Sequence, residues 1–189
     1  LNHIHCVDYI LDHVMEPLDT RFIRKLHELL MAGTVDAYRQ RVRPGEYRTT
    51  IPKNKDRPMI QGSQIHSSLT MLIEYYETRA EIERNQILEF HVRFEQIHPF
   101  DDGNGRVGRL IMFKACLRHD IMPFILDDKR RSRYLQGIRE WFVDRYELVD
   151  VVMEAQSRFE SQIELQKLQK TAEFYQPEEY KEGLKNEDE

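Results

Sequence analysis

His98-Pro99-Phe100-Asp101-Asp102-Gly103-Asn104-Gly105-Arg106-Val107-Gly108-Arg109 is the stretch around which the rest of the chain is organised. A helical apolar pattern over residues 87–97 leads into it, and another over residues 110–117 leads out. It therefore reads as a short loop that opens a helix. Gly103 and Gly105 let backbone N–H groups turn inward and approach a ligand closely. A helix N-terminus attracts anions through its first-turn amides and its dipole. Arg106 and Arg109 are three residues apart, so both guanidinium forks can face one phosphate group from the first turn. Asp102 would repel that phosphate unless a cation bridged them. Mg2+ suits this place, because it takes few protein ligands and fills its shell with water and phosphate oxygens. His98 stands just before the loop, where an imidazole can accept a proton at neutral pH. Taken singly, a His before Pro is usually structural and Gly-Asn-Gly is usually a turn. A base, a metal carboxylate and a phosphate cradle within twelve residues are together the parts of a nucleotidyl-transfer site.

These residues resemble the Fic family signature, H-P-F-x-[D/E]-G-N-G-R-x-x-R, and match it at all nine fixed positions. The resemblance implies an all-α fold with one small β-hairpin flap over the active site. It implies transfer of AMP from ATP to a Ser, Thr or Tyr hydroxyl of a target protein, with Mg2+ as cofactor and pyrophosphate released. By the same resemblance His98 is the base and Asp102 the Mg2+ ligand. Gly103, Asn104, Gly105 and Arg106 surround the α- and β-phosphates, and Arg109 holds the γ-phosphate. Phe100 is the core anchor of the loop. The Doc-type relatives, which phosphorylate their targets, carry Ala and Lys around the central Asn. Gly103 and Gly105 stand there in this chain, which favours nucleotidyl over phosphoryl transfer and leaves the nucleotide open.

Outward from the motif, residues 4–14 carry apolar side chains at helical spacing until Pro17. Asp19 or Thr20 is a suitable cap for a second helix with Phe22, Ile23, Leu26, Leu29 and Leu30 on one face. Gly33 ends it. His27 reads as a packed or surface helical residue. Residues 42–58 differ. Pro44-Gly45 signals a turn, and Tyr47, Thr49 and Ile51 alternate with polar residues as in a short strand. Gly45-Glu46-Tyr47-Arg48 resembles the family's lead-in to its flap, so a hairpin is expected near residues 46–58. Thr49, Thr50 and Ile51 would receive the target backbone by strand addition. Helices are expected again over residues 63–77 and 81–97, with His91 in packing. Lys129, Arg130, Arg131 and Arg133 read as a solvated basic face. Tyr134 stands where the family places an aromatic against the adenine; ordinary helix packing is the alternative. Trp141, Phe142 and Leu148 are core candidates.

A chain of 189 residues with 40% hydrophobic and 32% charged residues can bury one ordinary core. The expected division is one Fic-type domain over residues 1–172 and an acidic tail over residues 173–189. A net charge of −5 gives no support to general nucleic-acid binding, and no apolar run is long enough to span a membrane. Cys6 and Cys116 form no motif and fit a reducing, cytoplasmic setting. The chain begins at Leu1 already in helical register, the pattern of a fragment trimmed upstream. The family's inhibitory motif, [S/T]-x-x-x-E-[G/N], has no full match. Thr70 and Glu74 have the spacing but Tyr75 follows. An inhibitory helix is expected upstream of Leu1, or on a partner, or not at all. Self-modification at an exposed tyrosine, Tyr47 or Tyr175, and homo-oligomer formation both stay open. The competing functional class is a nucleotide-binding module without transfer. The intact His98 and Asp102 speak for the enzyme.

Overall fold

A computed structural model describes residues 2–40, 42–52 and 59–174. Its helices are α1 (Asn2–Asp12), α2 (Thr20–Met31), α3 (Val35–Gln40), α4 (Ile65–Glu77), α5 (Arg84–Ile97), α6 (Asn104–Arg118), α7 (Arg131–Glu140) and α8 (Tyr146–Phe174), with 3-10 turns at Gly62–Gln64 and Asp128–Arg130. Among the described residues there is no strand. No described helix is long and apolar enough to cross a membrane.

The helices start and stop where side chains satisfy their ends. Asp19 caps α2, its Oδ1 accepting from the Phe22 amide at 2.7 Å. Glu83 and Gln86 form a capping box at the start of α5. The core is built from α2, α4, α5 and α6, with Ile23, Leu26, Leu69, Leu88, Val92, Phe94 and Val107 fully buried. Helices α5 and α6 lie closely side by side because Gly108 has no side chain. A Cβ there would sit 2.6 Å from the His91 ring. Helices α1 and α2 pair with each other and pack on α6; α7 packs along the first part of α8. Trp141 and Leu148 are fully buried, as expected, and so are Cys6 and Cys116. Phe142 is not in the core. It is 50% exposed, with the Arg93 guanidinium over its ring, because its neighbour Trp141 takes the inward position in the turn after α7. Helix α8 continues past residue 172 to Phe174, and residues 175–189 lie outside the described residues.

The basic cluster before α7 is more than a solvated face. Arg133 bonds Glu147, Asp150 and Glu154, and Arg130 bonds Asp127 and Glu154. These pairs fasten α7 to α8.

One buried cation holds α1 against the bundle. Lys114, on α6, donates from Nζ to the carbonyls of His13, Val14 and Glu16 at 2.9, 2.8 and 2.6 Å. These oxygens belong to the turn that follows α1. Burial lowers the Lys114 amine to about 8. Lys114→Met keeps the apolar stem but takes the ammonium away from three part-buried carbonyls, of which that of His13 keeps the Glu16 amide. It is expected to lower unfolding stability by roughly 2–4 kcal/mol, read as a lower denaturation midpoint at unchanged slope. A midpoint equal to wild type would mean that water replaces the ammonium there at no cost.

The flap region departs from expectation. Residues 46–52 form no strand; the chain bends at residues 49–50, and residues 53–58 lie outside the described residues. The reason is the turn inward at Arg48. Its amide donates to the Pro99 carbonyl at 2.9 Å, so this backbone pairs with the motif loop. Thr49, Thr50 and Ile51 are exposed beyond it.

Candidate active site

The motif loop is built on a break in the helix. α5 ends at Ile97, and His98 takes a left-handed conformation (φ 50°, ψ 65°) as its C-cap, its amide still bonded to the Phe94 carbonyl at 2.9 Å. Pro99 forbids the helix from continuing. Histidine is one of the few non-glycine residues enriched in this region of backbone space. The conformation is held from outside by Arg48, which is 1% exposed. Its guanidinium donates to the carbonyls of His98 (2.8 Å), Thr50 (3.0 Å), Ile60 (2.9 Å) and Ile97 (3.3 Å). One side chain thus ties His98 and both described stems of the flap region together.

The loop then closes on itself. The Phe100 amide donates to Asn104 Oδ1 at 2.9 Å, and Asn104 Nδ2 donates to the Phe100 carbonyl at 2.8 Å. The Asn104 side chain is therefore spent on the loop. Phe100 is buried and stacks on His27 at 3.8 Å between centroids. Gly103 caps α6 with φ +79°, a conformation that strains any side chain, and a Cβ there would press on Met31 at 3.2 Å. The first hydrogen bond of α6 runs from Val107 to the Gly103 carbonyl at 3.0 Å. The amides of Asn104, Gly105 and Arg106 precede it, so helix geometry leaves them without intrahelical acceptors.

His27 does more than pack. The Gly45 amide donates to its Nδ1 at 2.9 Å, so Nε2 carries the hydrogen, and it donates to the Asp102 carbonyl at 3.2 Å. A neutral imidazole thus links α2, the flap lead-in and the motif loop. The charged side chains gather in front. Asp102 and Arg106 form an ion pair at 3.1 Å, each about one-third exposed. Arg109 is exposed. His98, Asp102, Gly103, Asn104, Gly105, Arg106 and Arg109 thus occupy one loop and the first turns of α6. Thr49, Thr50 and Ile51 adjoin them through Arg48.

Tyr134 is placed differently. It is 3% exposed, and its hydroxyl bonds His91 Nε2 behind the loop. Arg109 of the motif also interacts with that hydroxyl. Tyr47 is also covered: its hydroxyl oxygen is buried and burial pushes it up to about 12, so it is not the exposed self-target expected. Tyr175 lies outside the described residues.

His27 and His91 are each lowered to about 4, chiefly by burial. In the unfolded chain histidine titrates near ~6.5. Between these values the unfolded state binds more protons, so stability is complete above about pH 6.5 and is lost as pH falls toward 4. Each histidine withdraws on the order of 1.4 kcal/mol per pH unit in that window. Urea midpoints are expected to fall steadily from about pH 7 to about pH 5, and His27→Gln should reduce the slope. Constant midpoints over that range would mean that both rings titrate normally.

The Fic/DOC family model matches residues 17–116, more than half of the chain, and the chain belongs to this family. A probable protein adenylyltransferase of Aquifex aeolicus is 35% identical over 86 residues, which are 46% of this chain and 25% of that protein. The protein adenylyltransferase Fic of Drosophila virilis is 43% identical over 49 residues, 26% of this chain and 10% of that protein. The matches span a quarter or less of these relatives. Two solved structures share the fold. Fic-1 from C. elegans superposes with a TM-score of 0.68 at 19% identity, covering 89% of this chain and 51% of that one. A Fic-domain-containing signaling protein from Bacteroides thetaiotaomicron gives 0.67 at 19% identity, over 84% and 66%.

Three residues of the site have no role that sequence reasoning assigns. Arg48 is part of a matched lead-in and nothing more, His27 reads as packing, and Glu95 lies in an ordinary helical pattern. The first two act across 50 and 75 residues of chain, where spacing carries no signal.

Proposed function

We propose that this chain transfers AMP from ATP to a hydroxyl side chain of a target protein and releases pyrophosphate. The observation that carries this reading is the left-handed cap at His98, which sets an imidazole immediately before the first-turn amides of α6. The relatives named above as protein adenylyltransferases support it. His98 takes the proton of the target hydroxyl. The hydroxyl oxygen forms a bond to the α-phosphorus, and the bond from that phosphorus to the bridging oxygen of the β-phosphate breaks. The amides of Asn104, Gly105 and Arg106 and the Arg106 side chain bind the phosphate oxygens, and Arg109 reaches the γ-phosphate. Thr49, Thr50 and Ile51 hold the target backbone beside His98.

Among the described residues no cluster of three His, Cys, Asp or Glu is poised to hold a metal ion. A single half-buried carboxylate beside a phosphate cradle fits Mg2+ carried in with the nucleotide, and Asp102 is that carboxylate. Its pairing with Arg106 keeps both charges balanced until the nucleotide arrives. When bound, the metal neutralises charge on the leaving pyrophosphate. The buried thiols Cys6 and Cys116 fit a reducing, cytoplasmic setting.

The test is incubation of the protein with each labelled nucleoside triphosphate and Mg2+ in cell lysate, read as a mass shift on modified proteins, this chain included. Label from the α-phosphate of ATP is expected on protein, and chelation of the metal or Asp102→Ala should abolish it. Label arriving only from the γ-phosphate would mean phosphoryl transfer. Label from another nucleotide would change the co-substrate.

A further inference from the structure

We propose that Glu95 is the positioning residue of His98, holding the imidazole so that Nε2 is the atom that takes the proton. This role rests on the transfer chemistry proposed above; the underlying geometry does not.

Glu95 stands one turn before His98 on α5, and its Oε2 lies 3.8 Å from His98 Nδ1. Both side chains are largely covered, 14% and 12% exposed. His98 Nδ1 is itself buried and makes no hydrogen bond among the described residues. A buried polar nitrogen left without a partner carries a desolvation cost, so the arrangement favours closing the gap to the carboxylate. At 3.8 Å the two are near neighbours, short of a hydrogen bond, and become an ion pair only when the ring is protonated. Catalytic hydrogen bonds are commonly long in the ligand-free state and tighten when substrate binds. A carboxylate only accepts, so Nδ1 must carry the hydrogen. The lone pair is then on Nε2. When Nε2 takes a proton, the carboxylate lies beside the positive ring. A base oriented by a third group in this way recurs in nucleophilic enzymes.

The other carboxylate oxygen has a second neighbour. A Cβ built at Gly105 would lie 3.4 Å from Glu95 Oε1 and 3.3 Å from Arg109 Nη1. Glu95 thus stands between the base and the arginine assigned to the γ-phosphate. The alternative, that it acts through Arg109, makes a different prediction and is the rival in the experiment.

The experiment uses Glu95→Met and Glu95→Leu in the full chain. The tautomer of His98 is read by imidazole 15N–1H correlation at alkaline pH, where imidazoles are neutral. Wild type is expected to carry the hydrogen on Nδ1. Neither methionine nor leucine offers Nδ1 a strong acceptor, so nothing then holds the hydrogen there. Both variants should lose the Nδ1–H signal, lower kcat for AMP transfer by about 10- to 100-fold, and leave KM for ATP within about twofold. Glu95→Met keeps the length of the side chain, so a folding failure of Glu95→Leu would not remove the test. Two results would overturn the proposal: an unchanged His98 tautomer in Glu95→Met, or a raised KM for ATP with kcat intact, which would place Glu95 on Arg109. The tautomer needs no turnover. A wild-type protein that transfers nothing, yet loses its Nδ1–H signal in Glu95→Met, would sink the transferase reading and leave the Glu95–His98 pairing standing.

Discussion

Replacing His98 with asparagine or alanine is expected to abolish nucleotide transfer while nucleotide binding persists. In the proposed reaction the imidazole takes the proton from the attacking hydroxyl, and general-base catalysis contributes ~10²–10⁴-fold. Nothing else on the loop substitutes for it. Asn104 has its side chain engaged with the Phe100 backbone, and Asp102 is paired with Arg106. The groups proposed to bind phosphate lie after His98, on the amides of α6 and on Arg106 and Arg109, so they stay when the ring is removed. Asparagine is the better replacement, because it tolerates the left-handed backbone at φ 50° and cannot act as a base. The measurement pairs calorimetric binding of ATP with transfer of label from its α-phosphate. Wild-type transfer by His98→Asn would remove the base from His98. Loss of binding together with transfer would mean that the ring supports the loop itself.

What could be read in advance was what lies close together in the chain. His98 to Arg109 is contiguous, so its place between two helices was visible in the residue order alone, and the chemistry proposed for it rests on that same order. The capping of α2 by Asp19 was equally local, and the structure has it. The residues that hold the site in shape were not legible, because their partners are remote in sequence. His27 reaches Asp102 across 75 residues, and Arg48 reaches His98 across 50. Apolar periodicity predicts that a residue is buried and says nothing of which backbone group it meets. It also fails for neighbours in a turn. Trp141 and Phe142 look equally apolar, and only one can point inward. The flap shows the same limit. Alternation at Tyr47, Thr49 and Ile51 suggested a strand, and the inward Arg48 pairs that backbone with Pro99 instead.

Arg48→Met is expected to damage both fold and catalysis, and by the largest amount of any change outside the motif. The substitution removes a buried guanidinium and strands the carbonyls of Thr50, Ile60, Ile97 and His98 in a site where water has little access. Burial already lowers the pKa of Arg48, a sign that its solvation comes from these oxygens. Each unsatisfied buried carbonyl costs ~1–3 kcal/mol, and since neighbouring losses overlap, the expected total is roughly 3–5 kcal/mol. The effect on turnover is separate. Without Arg48 the carbonyl of His98 is released, the left-handed cap relaxes, and the imidazole moves relative to the first turn of α6. A displacement of about 1 Å at a reacting group can cost ~10²-fold in rate. Measured at a temperature where the variant stays folded, kcat should fall by about that factor while KM for ATP changes little, because the phosphate-binding groups sit on the far side of the loop. Arg48→Lys keeps the charge but offers a point donor in place of a fork, so it should fall between the two. Urea unfolding and steady-state transfer on the three proteins decide the matter. Wild-type stability in Arg48→Met would mean that the four carbonyls are solvated by another route, and wild-type kcat would mean that His98 holds its conformation unaided.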